Sequence, residues 1–395
     1  MFGLLQSYGF FFQAWQSGHE GHVTRVASGC EEEDAQQLLL DHDRLIVKGM
    51  SDRFHLHLTP DYSKSTIPEK DYKFFNKPMG LRHWMENGLG FSANQSRMGT
   101  ASKLEDTLFV ILDPDQFVTQ PFRREYGRDA QLWATTPSQA KVKIERGKPM
   151  AQLYGLGARW KENINATFIL NSATAPSTLR SWNTEDILNH YSAGPPYMAM
   201  GSDMYKIVYT WAEMVVPVYH LTKTHLSEMI AYAVAAAHLN LPHQLSRTFM
   251  LSNAFARSES WAWVDEQRPV QVCQPQPAKI TPLVIHYCQE YFLGPYYFFK
   301  YYVPKNQPAV FLSCEHELFA QPPVNDVIAT KYNSSVTRDG KRHDLEPQSA
   351  QRMAYMLCQV LPRMNAIARH FKSQECPAGT ANLNATFFFR PRKKN

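Results

Sequence analysis

The sequence lacks several features that place a chain in a broad class. No apolar run reaches the roughly 18 residues that a membrane helix needs, and the first residues carry no basic segment of the kind that opens a signal peptide. The 41 basic and 36 acidic residues leave a net charge of +5, which is too small to indicate nucleic-acid binding. The basic run at residues 390–394 is typical of a solvated tail, and the chain has no internal repeat.

Cysteine is scarce, and its spacing excludes the common metal and redox motifs. The six cysteines are Cys30, Cys273, Cys288, Cys314, Cys358 and Cys376. None forms a CxxC pair, so a zinc site or a thioredoxin-like motif is not expected. Four glycosylation sequons, at Asn94, Asn165, Asn333 and Asn384, favour a protein of the secretory lumen, where some cysteines would be bridged. The sequence alone does not choose among the pairings.

What the sequence does contain is a strand signal that ends in two carboxylates. Residues 108–112 form a continuous apolar run, which predicts a strand buried on both faces. Pro114 cannot donate to a sheet ladder, so Asp113 and Asp115 emerge together at the strand end, where open α/β sheets place ligands. Their oxygens suit a hard divalent cation that can hold a diphosphate. The alternative is a polar turn in which Asp is favoured by turn chemistry.

The rest of the chain alternates between helical and strand patterns, which predicts an α/β layered fold. Helices are predicted over 2–17, from Asn76 through Met85, from Met204 to about Val216 with Ser202 and Asp203 as the cap, over 225–239 and over 348–371. Strands are predicted over 22–28, 54–58, 149–155, 197–200 and 283–287, the last of which carries His286. Loops are predicted over 92–106, 156–182 and 269–282, and a turn at Gly194, Pro195 and Pro196.

Six segments within residues 6–305 together resemble a family. They are QSYGFFFQAWQSGHEGHVTRVASG, NKPMGLRHW, VILDPDQ, GPPYMAMGSDMYKIVYTWAE, SEMIAYAVAAAHLNLPH and PLVIHYCQEY. In this order they resemble the peptidyl serine α-galactosyltransferases and the hydroxyproline O-arabinosyltransferases, lumenal enzymes that glycosylate extensin-like proteins. The resemblance implies a GT-A-like (Rossmann-like) glycosyltransferase domain over 1–305, followed by a C-terminal helical extension and tail over 306–395.

The resemblance also implies a reaction and its components. It implies metal-dependent, retaining transfer of galactose or arabinofuranose from a UDP-sugar to Ser or hydroxyproline of a glycoprotein in the Golgi or endoplasmic reticulum lumen. The cofactor would be Mn²⁺ or Mg²⁺, and no nucleic acid is involved. The motif L-D-P-D at residues 112–115 lies between the forms typical of the two enzyme groups, so the donor sugar stays open.

Site residues follow from the matched motifs, each with a simpler alternative. The implied roles are metal ligation by Asp113, Asp115 and His286, nucleotide contacts from Thr24, Arg25, Asn76 and Lys77, a catalytic or sugar-orienting carboxylate at Glu228, and an acceptor groove at Gly194, Pro195 and Pro196. His286 could instead be a core histidine, and Arg25 and Lys77 surface ion-pair formers. Glu228 could be a helix-start acid favoured by the dipole.

One departure from the family concerns the first strand. Family members begin with an apolar strand before the Gln-Ser-Tyr helix, whereas here only five residues precede Gln6. The expected fold therefore lacks that strand, and any membrane anchor would belong to upstream sequence. The alternative to an enzyme is an inactive, N-terminally truncated lumenal glycoprotein that keeps the fold without catalysis.

Overall fold

The structure, a computed structural model, describes residues 2–63, 72–93, 101–126, 142–164, 182–275, 282–300, 311–337 and 340–388. Within these ranges the fold is mixed α/β, with several small sheets against which the helices pack. No helix in the described ranges has the length and apolarity required of a membrane span.

The helices and strands lie where local sequence patterns change. The α-helices are α1 (Phe2–Gln16), α2 (Glu32–Asp41), α3 (Asn76–His83), α4 (Ala101–Leu104), α5 (Trp160–Asn163), α6 (Thr184–His190), α7 (Gly201–Thr222), α8 (Ser227–His238), α9 (Ala262–Asp265), α10 (Ile328–Lys331) and α11 (Pro347–Glu375). The strands are β1 (Val23–Ser28), β2 (Phe54–Thr59), β3 (Leu108–Ile111), β4 (Gln116–Val118), β5 (Glu125–Tyr126), β6 (Val142–Lys143), β7 (Met150–Leu153), β8 (Ala193–Met200), β9 (Gln244–Ser246), β10 (Met250–Leu251), β11 (Val284–His286), β12 (Glu290–Leu293), β13 (Tyr296–Phe299), β14 (Leu318–Phe319), β15 (Ser334–Val336), β16 (Arg342–Asp344) and β17 (Thr386–Phe387).

A four-stranded sheet, in the order β3-β8-β7-β9, forms one side of a hydrophobic core. β8 runs antiparallel to both β3 and β7, and β9 runs parallel to β7. Helices α7 and α8 cover this sheet with apolar side chains. Because β3 pairs with β8 alone in this sheet, three of its four residues are only half-buried, so the prediction of a strand buried on both faces is wrong.

The segment Gly194-Pro195-Pro196 is not the predicted turn. It lies inside β8, and all three residues are buried. The pairing of β8 with β7 shifts register between Ala151 and Gln152, so the two prolines need not donate to that ladder. This irregularity explains how prolines enter a central strand.

Helix α7 is longer than predicted and begins differently. It starts at Gly201 with Met200 as its N-cap, so the predicted cap by Ser202 and Asp203 is wrong. Asp203 instead accepts a 2.6 Å hydrogen bond from the backbone N–H of Gly147. The helix continues through Pro217 to Thr222, because its apolar face stays buried against the sheet and α8.

A second core surrounds the 29-residue helix α11. α11 packs against α1 and against the aromatic hairpin of β12 and β13. Disulfides Cys273–Cys358 and Cys314–Cys376 tie it to the preceding loops. The C-terminal part of the chain thus shares a core with the N-terminal helix, and the boundary predicted near residue 305 stays a prediction.

Candidate metal centre

The centre forms where the chain passes from one sheet to another. β3 ends at Ile111, and the turn Asp113-Pro114-Asp115 leads directly into β4. β4 pairs antiparallel with β11, which places Gln116 opposite His286. Asp115, one residue before Gln116, therefore lies beside the end of β11, and its carbonyl accepts a 3.1 Å hydrogen bond from the N–H of Tyr287. Strand pairing alone thus brings His286 to the carboxylates.

The three predicted metal ligands converge. One ligand atom from each of Asp113, Asp115 and His286 lies within 4.8 Å of the other two. His286 Nε2 is 3.2 Å from Asp115 Oδ1. Adjacent ligands of an octahedral ion of Mg²⁺ size are about 3.0 Å apart, so this pair has the spacing of neighbouring ligands. Asp115 and His286 are buried, whereas the side chain of Asp113 is 26% exposed.

Each of the two aspartates contacts a lysine. Lys77, in the first turn of α3, places Nζ 2.7 Å from Asp113 Oδ1. Lys300, the residue after β13, bonds to Asp115 Oδ2. The two ammonium groups offset the free-energy cost of partly desolvating these carboxylates. Sequence reasoning missed Lys300, although a single lysine directly after the aromatic run 296–299 was a usable signal.

Glu228 joins this group from the first turn of α8. It is 5% exposed, and its Oε1 lies 3.4 Å from Lys77 Nζ. Its backbone is held by two bonds, since the Trp211 indole N–H donates to its carbonyl at 2.8 Å and its own N–H donates to the Tyr72 hydroxyl at 3.2 Å. Glu228 and Asp113 therefore contact the same lysine, Lys77, and the catalytic role of Glu228 stays a prediction.

Aromatic rings form one wall of the centre. Lys77 Nζ is 5.5 Å from the ring centroid of Tyr197 and 5.8 Å from that of Trp211. Tyr197 stacks on Tyr232, with 3.8 Å between ring centroids, and Tyr232 lies one turn after Glu228 on α8. The Tyr197 hydroxyl is buried and makes no hydrogen bond within the described ranges. The rings cover one side of the lysine, whose side chain is 20% exposed.

Burial and charge change the pKa values of the buried groups. Burial alone would raise the pKa of Asp115, but His286 and Lys300 together hold it below its ordinary value. Burial alone would lower the pKa of His286, but Asp115 reverses this and raises it above its ordinary value. Burial raises the pKa of Glu228 to about 7, with Lys77 opposing and Asp113 adding to the shift. Burial would lower the pKa of Lys77, but Asp113 and Glu228 raise it above its ordinary value.

The other predicted nucleotide residues are placed less directly. Thr24 and Arg25 are half-buried in β1, and the Arg25 guanidinium donates to the Ser7 hydroxyl at 2.9 Å. Asn76 precedes Lys77 and holds the connection before α3, because its Oδ1 accepts a 2.6 Å hydrogen bond from the N–H of Tyr62. Lys77 is thus the member of this set that reaches the aspartates, and the nucleotide contacts stay predictions.

The predicted acceptor residues lie in the sheet rather than at an open edge. Gly194, Pro195 and Pro196 are buried, and a Cβ at Gly194 would come within 2.6 Å of the Tyr154 ring. Contact of these residues with an acceptor therefore stays a prediction. A separate surface cavity of about 240 Å³, lined by Gly147, Lys148, Asn189, His190 and Pro242–Leu245, shares no residue with the metal centre.

The donor set determines what the centre can do. Two carboxylates and an imidazole from Asp113, Asp115 and His286 could hold a divalent metal ion, and such ligands suit Mn²⁺ as well as harder ions. The geometry does not identify the metal. Comparison of the chain with protein-family models, curated proteins and solved structures finds no match.

Proposed function

We propose that the chain is a glycosyltransferase with a GT-A-like fold that moves galactose or arabinofuranose from a UDP-sugar to Ser or hydroxyproline of a secretory glycoprotein. The reaction would require a divalent ion, Mn²⁺ or Mg²⁺, and retain the anomeric configuration. One observation carries the proposal, namely the convergence of Asp113, Asp115 and His286 from two different sheets. This convergence was predicted from the motifs that resemble glycosyltransferases.

The residues of the centre would divide the work of binding and transfer. Asp113, Asp115 and His286 would hold the ion, which offsets charge on the departing diphosphate. Lys77 and Lys300 add two ammonium groups within reach of the same oxygens. Glu228, whose backbone carbonyl and N–H each make a hydrogen bond, would stabilise positive charge that develops at the anomeric carbon.

The bond changes need no separate base. The acceptor oxygen would form a bond to the anomeric carbon on the face from which the diphosphate departs, while the bond from that carbon to the phosphate oxygen breaks. The acceptor proton would pass to the leaving phosphate oxygen. The task of the protein is then to orient the two substrates and to stabilise charge.

Two kinds of covalent feature support a place in the secretory lumen. Two disulfides link Cys273 to Cys358 and Cys314 to Cys376, and disulfides persist mainly in oxidising compartments. The sequon residues Asn333 and Asn384 are exposed, as glycosylation requires, whereas Asn94 and Asn165 lie outside the described residues.

The test is a transfer assay with a panel of UDP-sugars, including UDP-galactose and UDP-arabinofuranose, and peptides that contain Ser or hydroxyproline. Mass spectrometry distinguishes the addition of a hexose from that of a pentose. Activity should require Mn²⁺ or Mg²⁺ and disappear in a chelator. Asp113→Asn should lose activity, whereas the matched variant Asp344→Asn, at a carboxylate that is 79% exposed, should keep it.

Two results would count against the proposal. If the wild-type chain transfers no sugar from any donor in the panel, the inactive lumenal glycoprotein becomes the better description. If Asp113→Asn transfers sugar as fast as the wild type at saturating metal, the carboxylate pair is not the site of the chemistry.

A further inference from the structure

Four histidines meet on one face of the two-stranded sheet that β1 and β2 form. The two strands run parallel, and Thr24 pairs with His55. Alternate residues of a strand point to the same side of the sheet. His22, two residues before Thr24, and His57, two residues after His55, therefore lie on the face that carries this pair. His83 reaches the same face from the end of α3, where it contacts His57.

The four histidines form two pairs whose nitrogen atoms have the spacing of metal ligands. His22 Nδ1 lies 2.8 Å from His55 Nε2, and His57 Nε2 lies 2.9 Å from His83 Nδ1. An imidazole nitrogen binds an ion such as Zn²⁺ at about 2.0–2.1 Å, so two nitrogens bound at right angles to each other are about 2.9 Å apart. Each pair thus already has the donor spacing of two adjacent ligands.

The environment of the pairs favours the form of imidazole that binds metal ions. Burial and the neighbouring His22 lower the pKa of His55, with Asp52 opposing, and burial and His83 lower the pKa of His57. Both shifts favour the neutral ring, which is the ligating form. His22 and His55 are exposed, and His57 and His83 are half-buried, so water can supply the remaining ligands of an ion.

We propose that each of the two pairs binds one late first-row transition-metal ion, such as Ni²⁺, Cu²⁺ or Zn²⁺, through its two imidazoles and water. Imidazole suits these metals, whereas carboxylate and water suit Mg²⁺ and Mn²⁺. The ion takes the place of the hydrogen that the paired nitrogens share. The ring that donated this hydrogen carries its proton on its other nitrogen instead, so both rings stay neutral. These sites are independent of the proposed sugar transfer.

The test is calorimetric titration of the full chain with Ni²⁺ at pH 7.5, in an excess of Mg²⁺ that competes for carboxylate ligands and binds imidazole poorly. The wild type should bind two Ni²⁺ ions. His55→Gln and His83→Gln should each lose one of them, and the double variant should lose both. The affinity of the affected pair should fall at least tenfold, because even changes outside the ligand shell typically weaken metal binding by about 10–100-fold.

Two control variants and a measurement on the wild type make the outcome decisive. His220→Gln removes an exposed histidine near the end of α7 and should leave both Ni²⁺ ions bound. Asp113→Asn should also keep both ions, which separates the pairs from the carboxylate centre. Thermal melts report whether each variant keeps the fold. In the wild type, Ni²⁺ should broaden the NMR signals of the four paired imidazoles, which tests the ligands even if a variant does not fold.

Three results would overturn the proposal. The first is a wild-type chain that binds no Ni²⁺ once Mg²⁺ is in excess. The second is a single ion whose binding requires all four histidines, because that describes one site rather than two pairs. The third is a loss in His220→Gln as large as that in His55→Gln, which would show non-specific binding to surface histidines. The presence or absence of sugar transfer changes none of these readings.

Discussion

Replacing Glu228 by Gln should stabilise the metal-free protein at pH 8 and leave its stability nearly unchanged at pH 4.5. Glu228 is 5% exposed, and two carboxylates, its own and that of Asp113, share the Lys77 ammonium. Burial disfavours the charged form of Glu228 and, with the charge of Asp113, outweighs Lys77, so its pKa rises to about 7 from an ordinary value of 4.5. Glutamine keeps the shape and an oxygen for Lys77 but carries no charge.

The sign and size of the effect follow from proton linkage. Between pH 4.5 and about 7 the folded protein holds a proton on Glu228 that the unfolded chain has lost, so stability falls as the pH rises through this range. The difference between the two pKa values corresponds to about 3 kcal/mol. Above pH 7 the wild type bears this full cost and Glu228→Gln does not, so the variant should be more stable by about 3 kcal/mol there.

The assay is denaturant unfolding of both proteins at pH 4.5, 6, 7 and 8, in a chelator and at constant ionic strength. The midpoint and slope give the free energy of unfolding at each pH. Glu145→Gln is the matched control, because the Glu145 side chain is 35% exposed and its pKa is lowered by Lys148, so its loss should give no gain at pH 8. A Glu228→Gln variant that is no more stable than the wild type at pH 8, or a gain that is equal at every pH, would refute the reasoning.

Three further outcomes are expected. Glu228→Gln should lower kcat about a hundredfold or more with little change in donor affinity, because losing one electrostatic contact to a transition state typically lowers kcat by about that factor. Full activity of the variant in steady-state assays would show that Glu228 is only a helix-start acid. Asp115→Asn should abolish Mn²⁺ binding and turnover and lower the free energy of unfolding by about 3 kcal/mol, because it removes the buried carboxylate that pairs with His286 and Lys300. Titration and thermal melts check the two effects, and unchanged Mn²⁺ affinity would contradict the ligand role. Replacing Cys273 and Cys358 together by Ala should lower the free energy of unfolding by about 4.5 kcal/mol, because the disulfide closes a loop of 85 residues and so restricts the unfolded chain. An unchanged midpoint of denaturant unfolding would argue against this bond.

Local elements could be predicted from the sequence because their signals are local. The alanine-rich run predicted as a helix over 225–239 is α8, Ser227–His238, and the proline after Asn76 and Lys77 lies in the first turn of α3 as expected. The strand predicted over 283–287 is β11, which carries His286. Helical propensity, proline geometry and apolar runs act over a few residues, so a window of sequence contains the information.

The candidate metal ligands could also be named from the sequence, but for two different reasons. Asp113 and Asp115 follow from a local rule, since Pro114 ends the strand and the carboxylates must appear beside it. His286 was joined to them through the resemblance of the motif in which it lies. The physical cause of that contact is the antiparallel pairing of β4 with β11, which a local pattern does not contain.

Only the tertiary structure decided which charges meet at the centre and which strands are covered. Gly194-Pro195-Pro196 looks like a turn in sequence, yet a register shift against β7 accommodates it in a strand. β3 reads as a fully buried strand, yet it lies at the edge of its sheet. Lys300 is 185 residues from Asp115. Their bond depends on packing between distant segments, such as Phe298 of β13 against Tyr287 after β11, and not on spacing along the chain.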